Sequence, residues 1–498
     1  MSRDSTLLSE DLAANMDHIK RVFFNCNDMV VEPYHFGDDW NHSATVVYFE
    51  TITQHLDHNY MKSVLQDLIL HGDRTTQTVT QAQVIAFFEN RGASFKPFQL
   101  IEDMNTAIDA VLTGQLVIFF DHWNKALRYN ALSIAGRQIT EPPIEATING
   151  PREGTVEDLT TNIGLLRGRL PTPDFKTEFY KAGGKTQTKF MIGYIDRAVN
   201  KEVLAELKSR ISRIGEEEVL ETSYIREAIE DSVYSPFPQY RVTERPDVAV
   251  SAMLEGKIII MAQGTGSIMI CPTLFVELFQ SAEDYYQRTV ISSLIRQLRI
   301  FAFIIAMLLP SIYIALSTFH PELIPSNLLL AMLNTREGIP FPAFVEALIM
   351  QFFFELLREA GIRLPRPIGS AVSIVGALII GEASIAAGIA SPVMVVVVAL
   401  TGIASFSLPQ YELATSIRIV SFPLMVLAFF LGGFGVMFGC LMILLHLTSL
   451  RSLGQPYFSP LAPYVFPQLL DVLVRAPLKV RKRFSRGHQG SLDKPKPF

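Results

Sequence analysis

From 44 to 49 the chain reads ATVVYF, an apolar run of strand type. Met61, Val64, Leu65, Leu68 and Ile69 then recur at the spacing of one helical face. The same order returns 146 residues later. FMIGYI at 190–195 predicts a strand, and Leu204, Leu207, Ile211 and Ile214 stripe the helix that follows. A second pair of segments, 108–120 and 249–261, aligns about Gly114 and Gly256 at an offset of 142. In each, an apolar helix ends at a glycine suited to the left-handed C′ position and a buried strand follows. Any two βα units look alike, but a shared helix–glycine–strand register favours duplication. The pattern predicts two related subdomains, 1–145 and 146–290, joined near the Pro/Gly-rich stretch EPPIEATINGPREG at 141–154.

From about 291 the pattern changes. Residues 300–319 are 20 uncharged positions containing Pro310, enough for a bilayer core of about 30 Å at about 1.5 Å per residue. Pro310 should kink that helix. The stretch 368–411 carries one charge, Glu382, and is long enough for two helices bending at GIASP (388–392). Residues 419–445 suffice for one tilted span. Glu346 and Glu355 interrupt 344–357, and 323–333 is short enough to be re-entrant or interfacial. The expectation is an α/β soluble head of two related subdomains plus an all-α polytopic membrane domain at 291–450, followed by a tail at 451–498.

Charge sharpens this division. The chain has 498 residues, a formal charge of −6 and a mean hydropathy of +0.26. Residues 1–299 carry −11 and the tail +7, while 300–450 hold only 12 charged side chains. An acidic head argues against nucleic acid as a partner, and the whole excludes a small soluble enzyme. Arg288, Arg296 and Arg299, then Arg363 and Arg366, then the tail mark one side of a membrane as cytoplasmic. The first residues lack an apolar signal-peptide core, so the head is expected on that side too. Head and tail on one side require an even number of crossings, whereas the direct count is five. Either one segment is re-entrant or a long one makes a hairpin.

Glu382 is the most informative intramembrane position, because a carboxylate at that depth needs a bundle interior or a wet cavity. It either lines a pore or pairs with Arg418 or a neighbouring serine. Glu346 and Glu355 pair with Arg358 or sit at an interface. Ala383, Ser384, Ala386, Ala387, Gly388, Ala390 and Ser391 form a surface of small residues, as do the glycines of 432–439, and such surfaces let helices approach closely. The better expectation for both is packing within one chain. The sharper one is packing between protomers around a pore. Catalytic, cofactor-binding and metal-binding constellations are not read. Cys26, Cys271 and Cys440 are isolated, His55, His58 and His71 have no matched partners, and Gly264-Thr265-Gly266 suits a hairpin turn. Arg481, Lys482 and Arg483 suit an anchor to anionic lipid.

Several motifs are long and specific. They are DMVVEPYHFG (28–37), GPREGTVEDLTTNIGLLRGRL (150–170), SPFPQYRVTERPD (235–247), QSAEDYYQR (280–288), FHPELIP (319–325), TREGIPFPAFVEAL (335–348), ELLREAGIRLPRPIG (355–369) and SLRSLGQPYFSPLAP (449–463). With them the chain resembles the A subunits of bacterial spore germinant receptors, the GerA family, from about residue 5 to 463. The resemblance implies an integral protein of the spore inner membrane that works with a transporter-like B subunit and a lipoprotein C subunit. It also implies a homo-oligomer forming or gating a cation channel that triggers germination. Two alternatives are a non-conducting scaffold for the B and C subunits and a secondary transporter. The transporter reading is weakened because the membrane half shows no internal repeat.

Physically, Glu244, Arg245, Pro246 and Asp247 open a helix, with Pro246 at a first helical position and Asp247 in the first turn. Arg245 is then free to pair across a subdomain seam, and a helix-start motif with a structural ion pair is set beside ligand binding as the reading of the motif. Arg336 with Glu337, and Arg358 with Glu359, flank the second membrane segment as a candidate hinge. The candidate pore or gating set is Glu382, Ser384, Glu346, Arg336, Glu337 and Arg358.

Overall fold

The computed structural model describes residues 7–36, 40–53, 81–90, 97–133, 149–215 and 218–464, with isolated positions at 142, 145, 147, 472, 474 and 475. The helical stripe expected at 61–69, His55, His58, His71 and the basic run 481–483 lie outside the described residues. Two compact units emerge. One holds the N-terminal region to 147 with 151–230 and 242–272, and the other holds 231–241 with 273–498.

The first unit contains two five-stranded sheets. The first sheet is built from β1 (Met29–Phe36), β2 (His42–Phe49), β3 (Phe98–Ile101), β4 (Gln115–Phe120) and β5 (Ala126–Asn130) in the order β1-β2-β4-β5-β3. Its neighbouring strands all pair antiparallel. The second sheet uses β6 (Phe175–Ala182), β7 (Thr188–Ile195), β8 (Arg241–Thr243), β9 (Ile258–Ala262) and β10 (Ile268–Cys271) in the corresponding order β6-β7-β9-β10-β8. Strands β6 and β7 begin and end 146 residues after β1 and β2. The repeat expected from the sequence is therefore a repeat of topology.

Helices α1 (Leu12–Val22), α2 (Gln81–Glu89) and α3 (Met104–Leu112) cover the first sheet, and α4 (Leu159–Arg169), α5 (Lys201–Ile211), α6 (Thr222–Ile229) and α7 (Pro246–Leu254) belong to the second repeat. Val47, Phe49, Val117 and Phe119 enter one core cluster with residues of α1 and α3. Val46, Tyr48, Leu116, Ile118 and Phe120 enter another with Val84 and Phe88 of α2. Both faces of these strands are buried, so they read as unbroken apolar runs rather than alternating ones. Asp11, Asp103, Asp158 and Asn200 cap α1, α3, α4 and α5 with side-chain oxygens. Gly114 and Gly256 follow the C-caps of α3 and α7 at φ +77° and +88°, the left-handed positions expected of them.

The second unit is helical: α8 (Thr289–Thr318), α9 (Ser326–Arg336), α10 (Ala343–Arg363), α11 (Arg366–Ala386), α12 (Pro392–Phe406) and α13 (Tyr411–Ser449). Both α8, which contains Pro310, and α13 are long and apolar enough to cross a membrane. The division of 368–411 into two helices around 388–392 is observed as α11 and α12. The single tilted span expected at 419–445 is corrected. α13 breaks at Gly432, which adopts φ +58° and ψ −138°. A Cβ on Gly439 would collide with Leu424, and one on Gly435 with the carbonyl of Leu427. A straight helix keeps residues fifteen apart about 22 Å from each other along its axis, so α13 is a closed hairpin of two arms. Its ends return to adjacent residues: Ser416 Oγ donates to the carbonyl of Pro236, and Ser235 Oγ lies 2.9 Å from His446 Nε2. The glycines of 432–439 thus serve close packing within one chain.

These contacts define a proximal end, where residues 235–239 sit, and a distal end at Gly432. Phe319, which follows α8, lies at the distal end, where a Cβ on Gly432 would come within 2.8 Å of its ring. Phe344 near the start of α10 stacks on Phe429 there at 4.6 Å. Near the proximal end, Ala302, Phe303, Leu413, Leu447 and Tyr457 share a core with Phe237. Among the described residues the chain makes six passes (α8, α10, α11, α12 and the two arms of α13) and leaves the helices at its proximal end. The hairpin makes the number of passes even, the parity that a head and tail on one side would require.

Candidate functional site

The charged residues of both units are organised by pairing. In the first unit, Asp28 and Arg167 are each fully buried, 139 residues apart in sequence. Arg167 donates from Nε and Nη2 to the two carboxylate oxygens of Asp28 at 2.7 Å. Thr177 donates to the same carboxylate at 2.7 Å and Thr51 at 3.1 Å. The guanidinium also lies 4.1 Å from the Phe49 ring and 4.8 Å from that of Phe175. Burial opposes ionisation of Asp28, but the charge and hydrogen bonds of Arg167, with the Thr177 hydroxyl, hold its pKa below the ordinary carboxylate value. Burial pushes the neighbouring Cys26 thiol up. The pair clamps the start of one repeat to the other: Asn27 N–H donates to Thr177 O and Thr177 N–H to Asn25 O, both at 2.9 Å.

A second clamp uses the helix-start motif. Arg245, fully buried, pairs with Asp247 at 3.0 Å and donates to Thr147 Oγ1 at 2.8 Å and to the carbonyls of Glu145 and Pro151 at 3.3 and 2.9 Å. Pro246 is the first residue of α7, and the Glu244 carbonyl accepts from Thr155 N–H at 2.8 Å. The motif therefore ties α7 to the chain segment that connects the repeats. Each repeat also carries a carboxylate between two tyrosines at equivalent positions. Glu32 accepts from Tyr34 and Tyr48, and Glu178 accepts from Tyr180 and Tyr194. Glu178 adds Lys208 at 2.7 Å and Asn25 at 3.1 Å. Partial burial and Glu32 push Tyr34 up to about 12.

In the helical unit, Glu346 has no exposed surface. It pairs with Arg336 at 3.0 Å and accepts from the backbone N–H of Ser391 at 2.9 Å. Glu355, not Glu346, takes Arg358, at 2.9 Å. Arg418 lies 3.6 Å from Glu355 rather than near Glu382. Arg363 pairs with Glu359 at 2.6 Å. Glu337 is exposed and Ser384 buried. Glu382 is exposed on the single chain, with no hydrogen-bond or ion-pair partner among the described residues. The structure thus joins Arg336 to Glu346, and leaves Glu382, Glu337 and Arg358 apart from that pair.

Arg296 and Arg299, two of the basic flank residues, are held by an acidic partner that the sequence did not reveal. Arg296 donates from Nε and Nη2 to Asp284 Oδ2 at 3.3 Å, and Arg299 Nη1 lies 2.8 and 2.9 Å from the two oxygens of Asp284. Both arginines are buried. Sequence reasoning missed this trio, the Asp28–Arg167 pair and the His446–Ser235 contact. The one sequence signal was that Asp28, Arg167, Ser235 and Asp284 all fall within the long motifs. Gly264 adopts φ +85° in the turn joining β9 to β10, as its sequence suggested. Among the described residues no group of three or more His, Cys, Asp or Glu side chains is placed to hold a metal ion.

Residues 17–486 match the profile of the family described as Bacillus/Clostridium GerA spore germination protein. The chain is similar to an uncharacterized membrane protein, YfkQ, of Bacillus subtilis (strain 168), at 40% identity over 487 residues, 97% of this chain and 93% of that one. It is similar to spore germination protein KA of the same organism at 38% over 471 residues, 95% and 85% of the two chains. Spore germination protein GerLA of Bacillus cereus shares 40% over 375 residues, 75% and 76% of the two chains. Among solved structures, the N-terminal domain of the A subunit of the Bacillus megaterium spore germinant receptor GerK3 aligns with a TM-score of 0.42 at 25% identity, over 55% of this chain and 99% of that one. With a family profile that spans most of its length, the chain belongs to the GerA family of spore germination proteins.

Proposed function

We propose that the chain is the A subunit of a nutrient germinant receptor in the spore inner membrane, that it assembles with copies of itself, and that the assembly forms or gates a cation path whose opening starts germination. A transporter-like B subunit and a lipoprotein C subunit complete the receptor. In this reading the helical unit spans the bilayer, and the head and tail are cytoplasmic, which the basic flanks of the sequence support.

One observation carries the channel reading. Glu382 projects from α11 with Ala383, Ala386 and Ala387, all exposed on the single chain. A carboxylate facing lipid is unfavourable, by up to about 3 kcal/mol at a helix centre and by less at Glu382, four residues from the end of α11, and small neighbours suit a second helix at close range. Another protomer covering this face relieves both problems and places the carboxylates around a shared axis. The other charges of the unit favour the scaffold reading, because Glu346 and Glu355 already have partners inside the chain.

Cation release from spores carrying Glu382→Gln separates the two readings, with receptor abundance and copurified subunits measured in parallel. Slowed or leaky release at normal assembly supports the channel. Unchanged release at normal assembly gives the scaffold. Loss of membrane retention under alkaline carbonate would remove the spanning topology itself.

A further inference from the structure

Toward the proximal end of the helical unit, two guanidinium groups share one carboxylate. Gln351, Glu355 and Arg358 occupy successive turns of one face of α10. Arg418, on the first arm of α13, is 4% exposed. Arg358 Nη2 donates to Glu355, and Arg418 Nη2 donates to Thr415 Oγ1 at 2.8 Å. Arg358 Nε and Nη1 and Arg418 Nε are buried and have no hydrogen-bond partner among the described residues. Glu355 Oε1 lies 3.6 Å from Arg418 Nε without bonding it, and Gln351 Oε1 is also unpaired. The cluster therefore holds a net positive charge and three unused donors.

Leaving buried guanidinium donors without acceptors is unfavourable, and more so where helices exclude water. The forked donors of arginine match the oxygens of phosphate. Depth selects the source. Arg418 is two residues from Ser416, which bonds the Pro236 carbonyl at the proximal end, and Arg358 is five residues from the end of α10. At about 1.5 Å per residue, both lie within about 10 Å of that end, the level of lipid headgroups if the unit spans a bilayer.

We propose that Arg358 and Arg418 form a binding site for a phosphate-bearing anion, supplied by the headgroup of an anionic phospholipid in the proximal leaflet. The site itself rests on the geometry, and only its lipid source rests on the spanning topology. Glu355 competes with the phosphate for the same donors. Its neutralisation should therefore strengthen binding, which a purely structural ion pair would not do.

The test uses the full chain in detergent. Binding of phosphatidylglycerol, phosphatidylcholine and inorganic phosphate is followed by native mass spectrometry and by the thermal midpoint. Wild type should retain phosphatidylglycerol over phosphatidylcholine. Arg358→Gln should weaken that binding about tenfold or more, the scale of one charge-assisted hydrogen bond, and Glu355→Gln should tighten it. Arg358 is less buried than Arg418, so its variant is the one expected to fold. If phosphatidylglycerol binding were the same in wild type, Arg358→Gln and Glu355→Gln, the site would be overturned. Arg358-dependent stabilisation by inorganic phosphate alone would keep the anion site and overturn the lipid source. That same result in a chain extracted by alkaline carbonate would overturn the spanning topology and leave the anion site standing.

Discussion

Replacing Asp28 by alanine tests what holds the two repeats together. The substitution deletes a carboxylate that accepts four hydrogen bonds, two from Arg167 and one each from Thr177 and Thr51. It strands a guanidinium with no exposed surface, left with the Phe175 carbonyl at 3.2 Å, a long bond to the Thr177 hydroxyl at 3.4 Å and two aromatic rings. Breaking one side of a fully buried ion pair costs about 3–5 kcal/mol. Arg167→Met strands the carboxylate and should cost about the same. The double variant removes both charges and should lose only about 1–2 kcal/mol, so the cycle should return a coupling of about 4 kcal/mol or more.

The assay is thermal or denaturant unfolding of the full chain, followed by tryptophan fluorescence. The two tryptophans of the sequence, Trp40 and Trp123, both fall in the first repeat, and Trp123 is buried. Acid provides a second arm. The folded pKa of Asp28 lies below the ordinary 3.8. Its stabilisation is therefore complete above that value and is lost as pH falls through the lower, folded one. Wild type should lose stability in that window, and Asp28→Ala should lack this component. Costs that add to within about 0.5 kcal/mol would refute the argument, because they would mean that the pair does not act as a unit.

Gly432→Ala should destabilise the helical unit by about 2 kcal/mol or more, since φ +58° disfavours any side chain and the new Cβ would meet Phe319 at 2.8 Å; an unchanged melt in detergent would refute the hairpin. Glu346→Ala should lower stability by about 3 kcal/mol, because it removes the partner of Arg336 and the acceptor of the Ser391 N–H, and a melt within error of wild type would argue against the pairing. Asp158→Ala should cost only about 1 kcal/mol in urea unfolding followed by circular dichroism, the worth of its cap on the Thr161 N–H at 2.8 Å. Single cysteines replacing Ser407 and Arg451 should react with an impermeant thiol reagent from one side of the membrane, and a cysteine replacing Glu322 from the other. Labelling of all three from one side would refute the six-pass topology.

The sequence by itself determined the described features that depend on internal likeness. The offsets of 146 and 142 became strands and helices of matching bounds, because a duplicated chain repeats both its apolar pattern and its turn glycines. The long motifs identified the family, because identity over hundreds of positions needs no coordinates. Tertiary structure alone decided the charges. Arg296 and Arg299 read as part of a basic flank with no partner named, and they close on Asp284. Asp28 and Arg167 find each other across 139 residues, and Arg418 turned to Glu355 rather than to Glu382. The hairpin at Gly432 was equally hidden, since a glycine within an apolar run reads the same whether the helix continues or folds back. Which charges meet, and which way a helix turns, depend on long-range packing that hydrophobic periodicity does not encode.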